Sequence, residues 1–147
     1  MLTALHILLG ALGGGAFVLA ARALGRRREL PIYAAGLVAA ALIYVVFALA
    51  GGAPGAWLAV EFAGLVVFTL FALPGLKSST MPPGIGWAAH ALWDLLLHAD
   101  AVVHAGAGAN AHFVPDWYRL ICAGFDFALA AYLIALSRRP AAPAEPR

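Results

Sequence analysis

Charged residues are scarce in this chain of 147 residues, and cysteine is nearly absent. Asp, Glu, Lys and Arg together make up 11% of the sequence, whereas soluble domains contain about 25%. The single cysteine, Cys122, excludes an internal disulfide and any metal site built from several cysteines. No basic stripe alternates with aromatic residues, so we expect no nucleic-acid partner, although the net charge is +2. This charge content excludes an ordinary soluble domain.

Hydrophobic residues account for 64% of the chain and the mean hydropathy is +0.91, which is typical of an integral membrane protein. A helix that crosses a bilayer needs about 20 mostly apolar residues. Five segments meet that condition: residues 3–24, 30–50, 56–73, 87–105 and 117–136. The sequence thus predicts an all-α fold, a polytopic transmembrane bundle of five helices within residues 1–136. Residues 137–147, rich in Pro and Ala, are expected to form a flexible cytoplasmic tail.

Glycine, proline and polar residues separate these segments. Pro74-Gly75 ends the third segment, and a polar loop that contains Pro82 and Pro83 is expected before the fourth. Asp116 stands at the start of the fifth helix. We expect it to cap that helix, because its carboxylate can accept hydrogen bonds from the free amides of the first turn.

The cations predict the orientation of the bundle, since Lys and Arg concentrate on the cytoplasmic side of a membrane. Five crossings bring the first loop, the third loop and the C-terminus to one face, which then holds eight of the nine cations. The eight are Arg22, Arg26, Arg27, Arg28, Lys77, Arg138, Arg139 and Arg147. Only Arg119 lies on the opposite side. We therefore expect a multi-pass protein of a plasma membrane, such as a bacterial inner membrane, with the N-terminus outside and the C-terminus cytoplasmic.

Four of the seven acidic residues fall inside the predicted spans. A charged side chain near the bilayer centre costs about 2.5–3.5 kcal/mol even on the most lenient insertion scale. Such residues should face the bundle interior, where they mark a functional site or form structural ion pairs with histidines. The four are Glu61, Asp94, Asp100 and Asp126.

The fourth span carries the densest polar pattern of the chain. At about 100° per residue, His90, Asp94 and His98 fall on one stripe of a helix, and His104 returns to it. Adjacent members stand about 6 Å apart, close enough to share one ion, whereas His90 and His98 are about 12 Å apart along the axis. Any ion bound here therefore needs ligands from another helix.

Carboxylates at a similar depth on the third and fifth spans can complete such a site. Asp126 falls within about 5 Å of the bilayer middle, and Glu61 lies about 6 Å toward the outside. Imidazole and carboxylate ligands together suit a divalent first-row ion, so the sequence predicts a zinc-like site. The predicted metal ligands are His90, Asp94, His98 and Asp126. The predicted catalytic carboxylates are Asp94, Asp126 and Glu61.

Further residues are expected to line a polar cavity that opens outward from this site. They are His6, Trp93, Asp100, His104, Tyr118 and Cys122. A packing role competes with this interpretation, because a lone histidine on an apolar helix is usually a hydrogen-bonded packing residue. Cys122 is interpreted as an apolar filler rather than a nucleophile, because a free cysteine usually packs as a small hydrophobic residue.

Two stretches carry a family resemblance. Residues 86–98, GWAAHALWDLLLH, and residues 114–126, VPDWYRLICAGFD, resemble an uncharacterised family of small bacterial and fungal membrane proteins of about this length. The resemblance implies a site but no reaction, since that family has no assigned activity. The residues it marks are His90, Trp93, Asp94, His98, Tyr118, Cys122 and Asp126.

The chain is also similar, more loosely, to intramembrane zinc hydrolases of the ceramidase and progestin-receptor type. Those proteins place three histidines, an aspartate and a serine among their helices. This chain has no serine inside a predicted span, and its histidines crowd onto one helix.

Several functions are compatible with this pattern. The leading hypothesis is a hydrolase in which a metal-activated water attacks an ester or amide of a lipid or another hydrophobic molecule. Metal-free acid–base chemistry or a proton relay is the main alternative. A haem-binding protein, with His6 and a histidine of the fourth span as axial ligands, and a non-enzymatic membrane partner are further alternatives. The oligomeric state is not predicted.

Overall fold

The structure, a computed structural model, describes residues 2–77, 79–98 and 113–138. Every regular element in these ranges is helical, and the prediction of an all-α fold with five helices is confirmed. The helices are α1 (Leu2–Ala23), α2 (Arg26–Ala50), α3 (Gly55–Ala72), α4 (Met81–Leu92) and α5 (Asp116–Ser137). A 3₁₀ turn, Leu73–Lys77, follows α3, and a π-helical turn, Trp93–Leu97, continues α4.

Four helical segments in the described part of the chain are long and apolar enough to cross a membrane. They are Leu2–Ala23, Arg27–Ala50, Gly55–Lys77 and Asp116–Ser137. Large apolar side chains cover their outer faces; Leu12 is 63% exposed and Leu70 is 62% exposed. Faces of this kind fit contact with lipid rather than with water, and the four segments fit a multi-pass membrane protein.

Helix α1 packs against α5 through glycines that let the two backbones approach closely. A Cβ atom added at Gly10 would stand 1.9 Å from the carbonyl oxygen of Ile121, and one added at Gly124 would stand 2.0 Å from that of Ile7. No larger residue fits at either position without separating the helices. Small residues at helix crossings are the usual device for such packing in membranes.

Two apolar clusters fill the interior of the bundle. The larger one joins α2, α4 and α5 around Leu37, Trp87 and Leu133, and the Trp87 indole N–H donates to the carbonyl oxygen of Tyr33 at 3.2 Å. The smaller one joins Tyr44 of α2 to side chains of α3 and of the segment before α5. A group of buried polar side chains lies between the two clusters.

The start of α4 differs from the sequence-based expectation. Pro82 and Pro83 belong to the first turn of the helix, which begins at Met81, and not to a polar loop. Proline is tolerated there because first-turn amides have no acceptor within the helix, and its fixed φ is already helical.

The start of α5 also differs. The residue that caps the helix is Pro115, and the Asp116 side chain makes no capping hydrogen bond, so the predicted capping role is wrong. Asp116 Oδ1 instead accepts from Nε of Arg119, one turn further along, at 2.8 Å. The arginine offers this exposed carboxylate a charged donor, which is a stronger partner than a backbone amide.

Candidate functional site

Six acidic or histidine side chains are buried in the described part of the chain, each with 5% or less of its surface exposed. They are Glu29, Glu61, His90, Asp94, His98 and Asp126. Five of them lie in two neighbouring groups along α4, and Glu29 lies in a separate group.

The first group consists of His90 and Asp94 from α4 and its π-helical turn, with Asp126 from α5. His90 Nδ1 is hydrogen-bonded to Asp126 Oδ2 at 2.7 Å and stands 3.6 Å from Asp94 Oδ1. One potential ligand atom from each of the three residues lies within 4.8 Å of the other two. All three side chains are at most 1% exposed. The three side chains therefore have donor atoms close enough together to hold one metal ion.

The second group joins His98 to α3. His98 Nε2 lies 3.2 Å from Glu61 Oε1, and the Trp93 indole N–H donates to Glu61 Oε2 at 3.4 Å. Aromatic rings surround the imidazole, with ring centroids at 5.0 Å for Tyr44, 5.5 Å for Phe113 and 5.9 Å for Trp57. These rings keep the histidine and the glutamate in dry surroundings.

The π-helical turn accounts for the division into two groups. A regular α-helix would carry His90, Asp94 and His98 on one stripe, but the turn Trp93–Leu97 inserts an extra residue into the helix and rotates the residues after it. Asp94 stays beside His90, whereas His98 meets Glu61 of α3. Such insertions are frequent at functional sites in proteins.

Tyr44 of α2 connects the two groups and is absent from the sequence-based set. Its ring centroid lies 5.4 Å from that of His90 and 5.0 Å from that of His98, and the residue is 1% exposed. The sequence did offer one signal for Tyr44: a tyrosine hydroxyl inside an apolar helix needs a polar neighbour. Its contacts with both histidines depend on how α2 and α4 pack, which the sequence pattern does not contain.

Several polar atoms of the site lack a hydrogen bond of normal geometry from the described residues, although Tyr44 and Asp126 lie close to Asp94. These atoms are His90 Nε2, both carboxylate oxygens of Asp94, the Tyr44 hydroxyl, Glu61 Oε1 and His98 Nε2. Glu61 Oε1 and His98 Nε2 thus face each other at short distance without the alignment of a hydrogen bond. An unpartnered buried polar group costs about 1–3 kcal/mol, so a concentration of them marks a candidate position for water, an ion or another ligand.

The remaining predicted cavity residues lie around these groups or apart from them. Tyr118 packs its ring against Tyr44 and Phe47 at 6.1 Å and 4.9 Å. Cys122, a free thiol, is partly buried on the same helix. His6 lies on α1, and its buried Nδ1 has no hydrogen bond from the described residues. Asp100 and His104 lie outside the described residues.

Glu29 forms a separate polar group that the sequence did not indicate. It is 5% exposed and accepts hydrogen bonds from the hydroxyls of Tyr33, at 3.3 Å, and Tyr132. The guanidinium of Arg22 lies 5.9 Å from the centre of the Tyr132 ring. Glu29 follows three arginines in the sequence and resembles an ordinary surface charge, so only the packing of α2 on α5 reveals its burial. This group ties three helices together.

Comparisons with known proteins place the chain in a family without assigning a reaction. A family model described as "Family of unknown function (DUF6010)" matches residues 5–139. No curated protein and no solved structure matches the chain. Neither comparison therefore connects the chain to an intramembrane zinc hydrolase.

Proposed function

The chain belongs to the DUF6010 family, whose function is unknown, and we propose a function from the site. We propose that His90, Asp94 and Asp126 bind a divalent, zinc-like metal ion within the membrane. The observation that carries this proposal is the convergence of one nitrogen and two carboxylate ligands from α4 and α5 within 4.8 Å of one another. Zinc accepts this donor set at about 2.0–2.2 Å, and three protein ligands leave a position open for water or substrate.

The reaction we propose is hydrolysis of an ester or amide in a lipid or another hydrophobic molecule. An ion at this site would polarise the substrate carbonyl and activate a water for attack. A carboxylate of the site would take the proton of that water and pass it to the leaving alcohol or amine as the C–O or C–N bond breaks. We assign the Tyr44 hydroxyl, whose ring lies beside that of His90, the role of donor to the oxygen on which charge develops. The helix faces around the site are apolar and exposed, which favours a substrate that arrives from the bilayer.

The same residues also support a metal-free function, and one observation favours it. His90 and Asp126 are already hydrogen-bonded at 2.7 Å, which is the arrangement of a proton-transfer pair. In that case the buried groups would pass a proton along α4 and α5. Metal content separates the two proposals.

The deciding experiment is elemental analysis of the full chain purified in mild detergent, combined with thermal unfolding. We expect bound metal at one ion per chain or more and a lower Tm after treatment with a chelator, because the energy of metal binding is also folding energy. Metal uptake should release protons and tighten as the pH rises, since the His90–Asp126 pair must give up its shared proton. Metal-free protein whose Tm ignores the chelator would overturn the metal proposal and leave the proton-transfer function.

A further inference from the structure

An apolar groove of about 410 Å³ lies on the outer surface of the bundle, between α2 and the end of α3. One wall is a stripe of α2 that runs from Ala34 to Leu42, and the other runs from Thr69 to Leu76. Four of the nine lining residues are alanines, whose short side chains leave open the space that larger side chains would fill. The groove is therefore a consequence of small residues on two packed helices.

The lining side chains offer a ligand no free hydrogen-bond donor. Thr69 is the one lining residue with a polar side chain, and its hydroxyl already donates to the carbonyl oxygen of Leu65 at 2.7 Å. A polar ligand would lose its hydrogen bonds to water in this groove and gain none in return. The groove therefore suits a hydrocarbon chain.

The length of the groove matches one leaflet of a bilayer. From Ala34 to Leu42 the α2 wall spans eight residues, which is about 12 Å at 1.5 Å per residue. One leaflet is half of a hydrocarbon core about 30 Å thick, or about 15 Å. Both helices are long and apolar enough to cross a membrane, and the rim residues Leu42, Leu73 and Leu76 are exposed. A lipid acyl chain can therefore enter the groove sideways from the bilayer.

Three exposed cations stand beyond one end of the groove. Arg27 precedes Ala34 by seven residues, so the two lie on one face of α2, about 10 Å apart along the axis. Arg28 follows Arg27, and Lys77 ends the 3₁₀ turn that continues the other wall. Gly75 of that turn packs on α2, where an added Cβ would stand 3.3 Å from the Cβ of Ala34. The cations of both walls therefore lie at the same end of the groove.

The position and charge of this end fit a phosphate head group. The head-group layer extends about 5–8 Å beyond the hydrocarbon core on each side, which long Arg and Lys side chains next to the groove can reach. The nearest acidic residue in the sequence, Glu29, is buried and accepts hydrogen bonds from Tyr33 and Tyr132, so it faces away from the exposed cations. The positive charge at the end of the groove is thus left for an anion.

We propose that the groove between α2 and α3 binds one acyl chain of an anionic phospholipid, whose phosphate is held by Arg27, Arg28 and Lys77. Arginine binds phosphate oxygens through paired N–H groups, and basic residues beside membrane spans recognise anionic head groups. No residue of the His90, Asp94 and Asp126 group lines the groove. This lipid is therefore distinct from the substrate of the proposed reaction, and its binding needs no metal ion.

The test of the head-group contact is native mass spectrometry of the full chain in detergent, titrated with phosphatidylglycerol or with phosphatidylcholine of the same acyl chains. We expect one tightly retained phosphatidylglycerol per chain, a weaker phosphatidylcholine complex, and no effect of chelator. Arg27→Gln, Arg28→Gln and Lys77→Gln should each reduce the preference by about fivefold. Arg138→Gln is the matched control, because this exposed cation follows α5 and does not line the groove.

The test of the groove is to fill it. Ala35→Leu and Ala39→Leu add bulk at two lining positions that are exposed, so the interior of the bundle is left unchanged. We expect both variants to lose the retained lipid. Ala63→Leu is the matched control: it adds the same bulk at an exposed alanine of α3 outside the groove, and it should retain the lipid.

Three results would overturn the proposal. Equal retention of the two lipids by the wild type would remove the head-group contact. Lipid retention that survives both groove substitutions would leave only a general attraction to the basic surface. A dimer that Ala35→Leu and Ala39→Leu abolish would assign the groove to a second copy of the chain. None of these results depends on metal content, so this proposal and the proposed function stand or fall separately.

Discussion

His90 of α4 and Asp126 of α5 are hydrogen-bonded at 2.7 Å in the dry interior of the bundle, and each side chain is 1% exposed. This contact joins potential metal ligands from two helices, which are 36 positions apart in the chain. Removal of one partner would leave the other buried and unpaired, which is strongly destabilising in a low-dielectric interior. The pair is therefore the contact through which the site and the stability of the fold are coupled.

Asp126→Asn should lower metal content and Tm together. The substitution keeps the shape of the side chain and deletes the negative charge that helps to hold an ion. The matched control is Asp116→Asn on the same helix, where the carboxylate is exposed and binds only Arg119 among the described residues. Inductively coupled plasma mass spectrometry and differential scanning fluorimetry measure both quantities.

A different result for Asp126→Asn would favour the metal-free function. Under that function Asn can still hydrogen-bond His90 and only the buried charge is lost, so the Tm should stay level or rise while activity falls. Chelator should then leave the Tm of the wild type and the Tm of the variant unchanged.

Gly124→Ala should separate α1 from α5 and destabilise the fold. The added Cβ would stand 2.0 Å from the carbonyl oxygen of Ile7, and a backbone carbonyl cannot move aside without moving its helix. Overpacking of this kind costs about 1–3 kcal/mol or more. Gly15→Ala is the control, because a Cβ there meets nothing within 4 Å. Alanine improves helix propensity by about 1 kcal/mol over glycine, so Gly15→Ala should be neutral or stabilising. Equal Tm values for the two variants would contradict the α1–α5 packing.

The helices could be predicted because their signals are local. Apolar length and the spacing of four residues from His90 to Asp94 are properties of a single segment, and both can be counted in the sequence. Depth along the spans also brought Asp126 and Glu61 to the level of the fourth span. These inferences need no knowledge of which helix packs against which.

The partners of each group could not be predicted, because they depend on packing between helices. The π-helical turn at Trp93–Leu97 redirects His98, and no periodicity in the sequence marks it. Tyr44 lies inside the second predicted span and Glu29 directly precedes it, and the local sequence pattern marks neither residue as functional. Pro82 and Pro83 resemble loop residues, although a helix start accepts them equally well.

Glu29 and Tyr132 should prove energetically coupled. The hydroxyl of Tyr132 on α5 donates to Glu29 on α2. A hydrogen bond to a buried carboxylate contributes about 1.5–3 kcal/mol to the free energy of unfolding. Tyr132→Phe and Glu29→Gln should each lower the Tm without changing metal content. The double variant should be less destabilised than the sum of the two, because Tyr132→Phe removes the hydrogen bond that Glu29→Gln weakens by deleting the acceptor's charge. Additive effects would show that the contact contributes nothing of its own.

The orientation of the bundle predicts where a reporter is active. With eight of nine cations on one face, the C-terminus should be cytoplasmic. A green fluorescent protein fused after residue 147 should fluoresce, and alkaline phosphatase fused there should be inactive. Alkaline phosphatase inserted after residue 53, in the connection between α2 and α3, is the reciprocal control and should be active. Activity of the phosphatase only at residue 147 would reverse the topology.

Tyr44→Phe should separate catalysis from stability. The hydroxyl is buried near Asp94 without the full geometry of a hydrogen bond to any described residue, so its removal breaks no strong contact. The ring and its contacts with His90 and His98 remain. We therefore expect a Tm that is unchanged or higher, and unchanged metal content.

Hydrolysis should respond differently to the same substitution, because in the proposed reaction the hydroxyl donates to the oxygen on which charge develops. With a 4-nitrophenyl fatty ester as the probe, kcat should fall by about 10²–10³-fold, as it does when one oxyanion donor is removed, while KM changes little. Phe47→Leu is the control: it alters a ring that packs against Tyr44 and Tyr118 but carries no polar atom. A lower Tm for Tyr44→Phe with kcat intact would instead assign the hydroxyl a structural hydrogen bond. That result would remove Tyr44 from the reaction.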